Sequence, residues 1–387
     1  MSGSGTSDPG RRPGRLGIGI IGAGRVGAVL GSALRAAGHP VVGVSAISAE
    51  SRERAEMLLP GVPVLDVPEV VRRAELVLLA VPDDALAGLV QGLADLGVWQ
   101  PGQIVAHTSG RYGVGVLAPA RAAGVIPLAL HPAMTFTGTS LDLSRLEGTT
   151  FAVTAPGPVL PIGQALVVEM GGEPVVVAEE ARGLYHAALA HGANHLVVLV
   201  AQAAQALAAA GVDDPGRVLA PLLNAALDGA LRAESAASAG TAEGFGGEAE
   251  GPWATDERRG AGAITALTGP VRRGDAGTVR DHGAVLAELG ARTGAVDVVA
   301  GYRALARAAA QRALAAGLVR EDVVQDVLDA LAEPGMPGSA GTLNQEDRPA
   351  PDAPDDRAPR PDGGARGPGT GPADDSDGPD EPQEDDA

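Results

Sequence analysis

The chain has 387 residues, 45% of them apolar and only 2% aromatic, with a formal net charge of −19. It contains no cysteine, and all 29 basic residues are arginine, so disulfides, thiolate metal sites, cysteine nucleophiles and lysine Schiff bases are excluded. The acidic balance, roughly half of which lies beyond residue 333, argues against a nucleic-acid partner, because phosphate contacts need clustered cations.

Residues 1–14, rich in Gly, Ser, Pro and Arg, are expected to be disordered and carry no apolar secretory core. From Leu16 the pattern reads strand, turn, helix: LGIGIIGAG, then RVGAVLGSALRAAG, then a strand at 41–45. Further Val-rich strands follow at 76–82, 103–110, 125–132, 151–155 and 174–178, with helical stretches after Asp83 and around 116–123. Strands alternating with amphipathic helices predict an α/β Rossmann domain, a doubly wound parallel sheet, over residues 15–178.

From Glu179 the alternation stops. One long helix runs to Gly211, followed by helices near 215–232, 263–268, 276–292, 295–317 and 319–332, which predict an all-α second domain over 179–332. Within it, 233–262 reads as a flexible insertion, and 333–387 as a disordered acidic tail. Gly, Pro or a charge interrupts every strong apolar run, so no membrane span is expected and a cytoplasmic location is. The alanine-rich helical domain has more apolar surface than it can cover, which predicts a homodimer.

Gly22-Ala23-Gly24-Arg25-Val26-Gly27 is a G-x-G-x-x-G that follows a strand and opens a helix. Gly22 permits the turn, Gly24 lets backbone approach a pyrophosphate, and Gly27 lets the helix pack close, with the N–H groups of Arg25 and Val26 at its start. NAD binders place an acid at the end of the second strand for the ribose 2′-OH. Here Ser45 and Ser48 stand there instead, with Arg52 and Arg54 beyond and Arg52 the candidate contact to a 2′-phosphate, so NADP is the expected cofactor, with NAD possible; the two arginines also suit a solvated helix face.

Val81-Pro82-Asp83 closes the strand at 76–82, where backbone can reach a nicotinamide ribose; Asp83 also suits a helix cap. His107-Thr108-Ser109-Gly110 and His131-Pro132 close the next two strands on the same edge, with Ser109 a cofactor candidate. On the long helix His186 and Asn194 fall within about 80° of one another, while His191 and His195 form an i, i+4 pair on another face. No acid flanks these histidines in a zinc-binding pattern, so no metal is expected. Arg273, in Leu-Thr-Gly-Pro-Val-Arg-Arg-Gly-Asp, suits a bidentate carboxylate clamp or an interhelical ion pair.

These segments, with A-V-P-D-D, H-P-A-M-T-F and Y-H-A-A-L-A-H-G-A-N, resemble over about residues 15–332 a bacterial oxidoreductase family. Its members join a Rossmann-like domain to a helical domain of unknown function. More distantly the chain is similar to ketopantoate reductase, pyrroline-5-carboxylate reductase and the β-hydroxyacid dehydrogenases. In the ketopantoate and β-hydroxyacid enzymes a lysine begins a helix face and an asparagine follows. His186 and Asn194 occupy matching positions, with Ala190 at the intermediate asparagine position. The resemblance implies reduction of a small-molecule substrate, a 2-oxo acid like ketopantoate, with His186 giving the proton, Asn194 orienting the carbonyl and Arg273 holding the carboxylate. A cyclic imine is the alternative substrate, and a nucleotide sensor without turnover the alternative function.

Overall fold

The structure, a computed structural model, describes residues 14–242 and 261–332. The disorder expected for residues 1–13 and 333–387 and for most of the insertion, 243–260, falls outside the described residues.

Seven strands form one sheet in the order β2-β1-β3-β4-β5-β6-β7. They are β1 (Ile18–Ile21), β2 (Val41–Ser45), β3 (Leu76–Leu79), β4 (Ile104–His107), β5 (Ile126–Pro132), β6 (Thr150–Thr154) and β7 (Glu173–Val176). β1 is an interior strand, next to the edge strand β2, because Ile18, Gly19 and Ile20 pair with both β2 and β3. Alternate residues feed opposite faces, as the strand period of two requires. Ile18 and Ile20 join one core with Val29 and Leu34 of α1 (Arg25–Ala36). Ile21, Val77 and Leu79 join the other with Leu86 and Val90 of α4 (Asp83–Asp95). Both faces are covered at β1 and β3, so these strands are apolar throughout, whereas the edge strand β7 is largely exposed.

The sheet is parallel except at one pair: β5 and β6 run antiparallel, Leu130 opposite Val153. This corrects the wholly parallel expectation. β6 returns through a loop and the short α6 (Leu141–Arg145) instead of a full crossover helix, and an apolar run such as FAVTA carries no sign of its direction. Between β2 and β3 lie α2 (Ala49–Leu58), which carries Arg52 and Arg54, and α3 (Val67–Arg73), too short to show an apolar periodicity in the sequence. The domain is completed by α5 (Ala118–Ala122) and α7 (Leu160–Glu169).

The helical region comprises α8 (Arg182–Ala209), α9 (Pro215–Ala242), α10 (Gly269–Arg273), α11 (Ala276–Thr293), α12 (Val296–Ala315) and α13 (Glu321–Ala330). Asp275 caps α11, accepting from Thr278 N at 3.0 Å. Two expectations are corrected. Residues 233–242 continue α9 instead of opening a flexible insertion, and Glu234 accepts from Ala263 N at 3.0 Å across the excursion. The helix expected at 263–268 is a 3-10 turn, Gly262–Ala266, with Thr268 capping α10.

The small core of this region gathers α10 to α13 around Val271, Val279, Ala310 and Val327. α8 is left outside it. Contrary to the sequence expectation, Glu179–Ala209 is long and apolar enough to cross a membrane, and none of its most apolar window is buried. The run Leu196–Val200 and many alanines raise its mean hydropathy, although glycines and histidines interrupt the sequence before them. Its two ends are tied to the fold, at Arg182 and at Gln202, which donates to the Asp297 carboxylate at 2.9 Å.

Candidate active site

The turn after β1 fits a dinucleotide. Gly22 has φ +97°, and a Cβ there would stand 2.5 Å from Ala80 O; one on Gly27 would stand 2.1 Å from Gly22 O. Neither position tolerates a side chain. Gly24 faces open space, and no side chain caps α1 there. The first-turn N–H groups of α1, including those of Arg25 and Val26, have no carbonyl four residues back, and so point outward for a phosphate. Ser45 takes part through its backbone, its carbonyl accepting from Gly22 N and Ala23 N at 3.1 Å each.

At the end of β2, Ser48 caps α2, accepting from Ser51 N at 3.2 Å, and Arg52 is exposed. Arg54 is the arginine that turns inward, donating to Ala23 O at 3.3 Å. A Cβ on Gly138 would stand 2.7 Å from Arg54 Nε and 2.9 Å from Arg25 Cγ, so the loop after β5 rests on both arginines. Asp142 holds that loop. It is fully buried and accepts from Thr137 N at 2.8 Å and Gly138 N at 2.7 Å. Burial raises its carboxyl pKa, but the hydrogen bonds outweigh this and keep it below the usual range.

The carboxyl ends of β3, β4 and β5 lie side by side, and α8 begins over them. Pro82 precedes α4 without a side-chain cap bond, so Asp83 is the first helical residue and not the cap. Its carboxylate lies close enough to His107 and His131 to favour their charged forms. His107 is fully buried, its Nε2 donating to Gly113 O at 2.8 Å and its Nδ1 accepting from Ser109 N at 3.2 Å. Burial pushes its pKa down to about 4, so it is a neutral structural brace. The Ser109 hydroxyl accepts from Arg111 N and Tyr112 N at 3.2 Å each, and so shapes a turn.

Arg182, 1% exposed, fastens α8 to this edge. It donates to Thr154 Oγ1 at 2.8 Å, Ser109 O at 3.2 Å, Ala129 O at 2.9 Å and Ala152 O at 3.0 Å. Desolvation lowers its pKa to about 10, which leaves it charged at neutral pH. Glu179 adds a second fastening, accepting from Val114 N at 2.7 Å and Gly115 N at 2.8 Å. Nothing in the sequence marked Arg182 or Glu179, because their partners are backbone groups far along the chain.

The first turn of α8 then brings Tyr185 and His186 against His131. The Tyr185 hydroxyl lies 2.9 Å from His131 Nδ1, and the rings of His131 and His186 pack edge to face, centroids 6.2 Å apart. A Cβ on Gly110 would stand 2.6 Å from His186 Nδ1 and 2.8 Å from His131 Nε2, so both nitrogens converge over that glycine. His186 Nδ1 is buried and has no hydrogen-bond partner among the described residues.

Asn194 and Arg273 do not join this cluster. Asn194 is exposed and, by helical rise, about 12 Å further along α8. The segment before Arg273 packs beside an apolar cavity of about 480 Å³ lined by Leu199, Gln202, Ala206, Thr268, Pro270 and Val271. Leu199 is about 20 Å along α8 from His186, and Arg273 is exposed. A carboxylate bound at His186 is therefore out of reach of Arg273 in the same chain. His191 and His195 are exposed and bond to one another at 2.8 Å.

No curated protein gives a significant sequence match. Residues 1–132 match the Rossmann-like domain, and residues 149–243 and 254–309 match a domain of unknown function, DUF2520. Among solved structures, a candidate NADP oxidoreductase from Bacteroides fragilis is 22% identical, with a TM-score of 0.55 over 77% of this chain and 98% of its own. The imine reductase from Pseudomonas sp. is 16% identical, with a TM-score of 0.52 over 82% of this chain and 100% of its own. A protein from Thermotoga maritima is 19% identical, with a TM-score of 0.50 over 76% and 98%. At these identities the likeness is one of fold. The two matches fall in the order that the motifs implied, Rossmann-like first and the domain of unknown function after it.

Proposed function

We propose that the protein is an NADP(H)-dependent reductase of a small polarised C=O bond, a 2-oxo acid of the ketopantoate kind. The observation that carries this reading is His186 Nδ1, buried and unpartnered at the sheet edge that also holds the dinucleotide turn. An orphaned buried polar atom costs roughly 1–3 kcal/mol, and a bound ligand would relieve that cost. Gly22, Gly24, Gly27 and the start of α1 would hold the pyrophosphate, and Arg54 with Arg25 would meet a 2′-phosphate. The cofactor supplies the hydride when bound. His186 holds the proton that goes to the substrate heteroatom as negative charge develops there. Arg182 and Glu179 keep α8, and so His186, fixed against the sheet.

One observation favours a second substrate, a cyclic imine: protein oxygens take four of the five N–H donors of the buried Arg182, and Arg273 is remote. A C=N substrate needs no carboxylate clamp, and imine reduction is the activity named for the Pseudomonas structure. NADPH oxidation followed over a panel of 2-oxo acids and cyclic imines tests both. Tight NADPH binding with no turnover on any of them would instead identify a nucleotide sensor.

A homodimer is part of the same reading. Val197 (69% exposed), Leu222 (65%), Leu231 (59%) and Val198 (50%) make apolar faces on α8 and α9 that a second copy would cover.

A further inference from the structure

We propose that His131 is a second catalytic residue, a neutral imidazole whose Nε2–H, oriented by Tyr185, donates a hydrogen bond to the substrate heteroatom beside His186. The inference rests on the reductase reading but on different atoms. Tyr185 OH is 2.9 Å from His131 Nδ1. A phenol is a better donor than acceptor, so Nδ1 takes the bond as a lone pair and the ring proton sits on Nε2. Nε2 faces the same side of Gly110 as the unpartnered Nδ1 of His186. Any side chain at 110 would fill that approach, as the 2.6 and 2.8 Å distances from an added Cβ show.

The surroundings keep His131 neutral. Burial lowers its pKa to about 4, with Arg182 and His186 acting in the same direction and Asp83 opposing them. Tyr185 is itself held protonated, because burial raises its pKa more than Arg182 lowers it. The two histidines therefore have separate tasks. A neutral donor polarises the C=O or C=N bond before and during hydride arrival without giving up its proton. His186 completes the reaction by transferring one. One proton and one hydride enter the substrate, and His131 ends as it began. Tyr185 touches no substrate; it is a positioning residue that fixes the imidazole tautomer.

The experiment has two arms on the full chain. First, ¹⁵N NMR of the histidine rings, with His131→Phe to assign the signal, reads the His131 tautomer between pH 5.5 and 8. A neutral Nε2–H form throughout is expected, and loss of that single tautomer in Tyr185→Phe. An Nδ1–H or charged His131 overturns the proposal whatever the substrate is. Second, on a compound that wild type turns over, His131→Phe should lower kcat roughly 10²–10³-fold with NADPH affinity unchanged. His131→Gln, which restores an N–H donor, should recover about tenfold. Tyr185→Phe should lower kcat by about tenfold with little change in KM. Turnover by His131→Phe within threefold of wild type overturns the role. If wild type reduces nothing in the panel while the NMR arm succeeds, the reductase reading fails, and the catalytic role of His131 fails with it.

Discussion

Tyr185 and His131 meet at 2.9 Å, joining the first turn of α8 to the last residues of β5. The contact exists because Arg182, three residues earlier on α8, bonds at once to Ala129 O of β5 and Ala152 O of β6. A single buried guanidinium thus sets the distance between the helix that carries His186 and the sheet edge it works against.

Removing that guanidinium should loosen the whole cluster. Arg182→Met leaves four oxygens without this donor, and a loss of about 2–5 kcal/mol of folding stability is expected. Urea denaturation of the two proteins measures it. A change below about 1 kcal/mol would show that water replaces the side chain freely.

His186→Gln keeps polarity and approximate size but cannot transfer a proton. Turnover should fall by roughly 10²–10⁴-fold while NADPH affinity stays intact. His191→Gln and His195→Gln, whose side chains bond to each other in solvent, should cost little. Wild-type-like turnover by His186→Gln would move the proton donor elsewhere.

For the cofactor, Arg54→Ala should raise the NADPH dissociation constant about tenfold and the NADH constant far less, as expected for one lost charge-assisted bond. Arg52→Ala, on the exposed side of α2, should change either by less than about twofold. Fluorescence titration decides, and the reverse ranking would restore Arg52 as the phosphate contact.

A buried and a half-buried histidine make the fold acid-sensitive. His107 and His131 have folded-state pKa values lowered from 6.5 to about 4 by burial. Between those values the unfolded chain binds protons that the folded chain does not, so stability falls as pH drops from about 6.5 toward 4. Each histidine contributes at most about 3 kcal/mol over that window. Melting temperature measured from pH 7.5 to 4 should fall accordingly, and His131→Phe should flatten the decline. An unchanged slope in the variant would mean that His131 titrates freely.

Light scattering at micromolar concentration should give twice the chain mass. Val197→Glu, in the middle of the exposed apolar face of α8, should shift the population toward monomer. A monomeric wild type would leave that face to another partner.

The glycine turn, the alternation of strands and helices, and the change to helices at Glu179 were legible in the sequence, because each depends on neighbours within a few residues. Gly22 and Gly27 announce themselves by conformation and close packing, and Ile18 to Ile21 by unbroken apolarity. The candidate-site cluster was only half legible. His186 stood out by its residue type and by resemblance, and His131 was visible only as the end of a strand. What singled out His131, its bond to Tyr185 54 residues away and its shared approach to Gly110, depends on how α8 docks on the sheet. Packing of α2 against the turn after β1 turned Arg54 toward Ala23 O while leaving Arg52 in solvent, and Arg273 lies away from His186. Local periodicity and turn chemistry determine which elements form. Which side chains meet is decided by long-range packing, where a buried charge such as Arg182 must find its oxygens wherever the folded chain presents them.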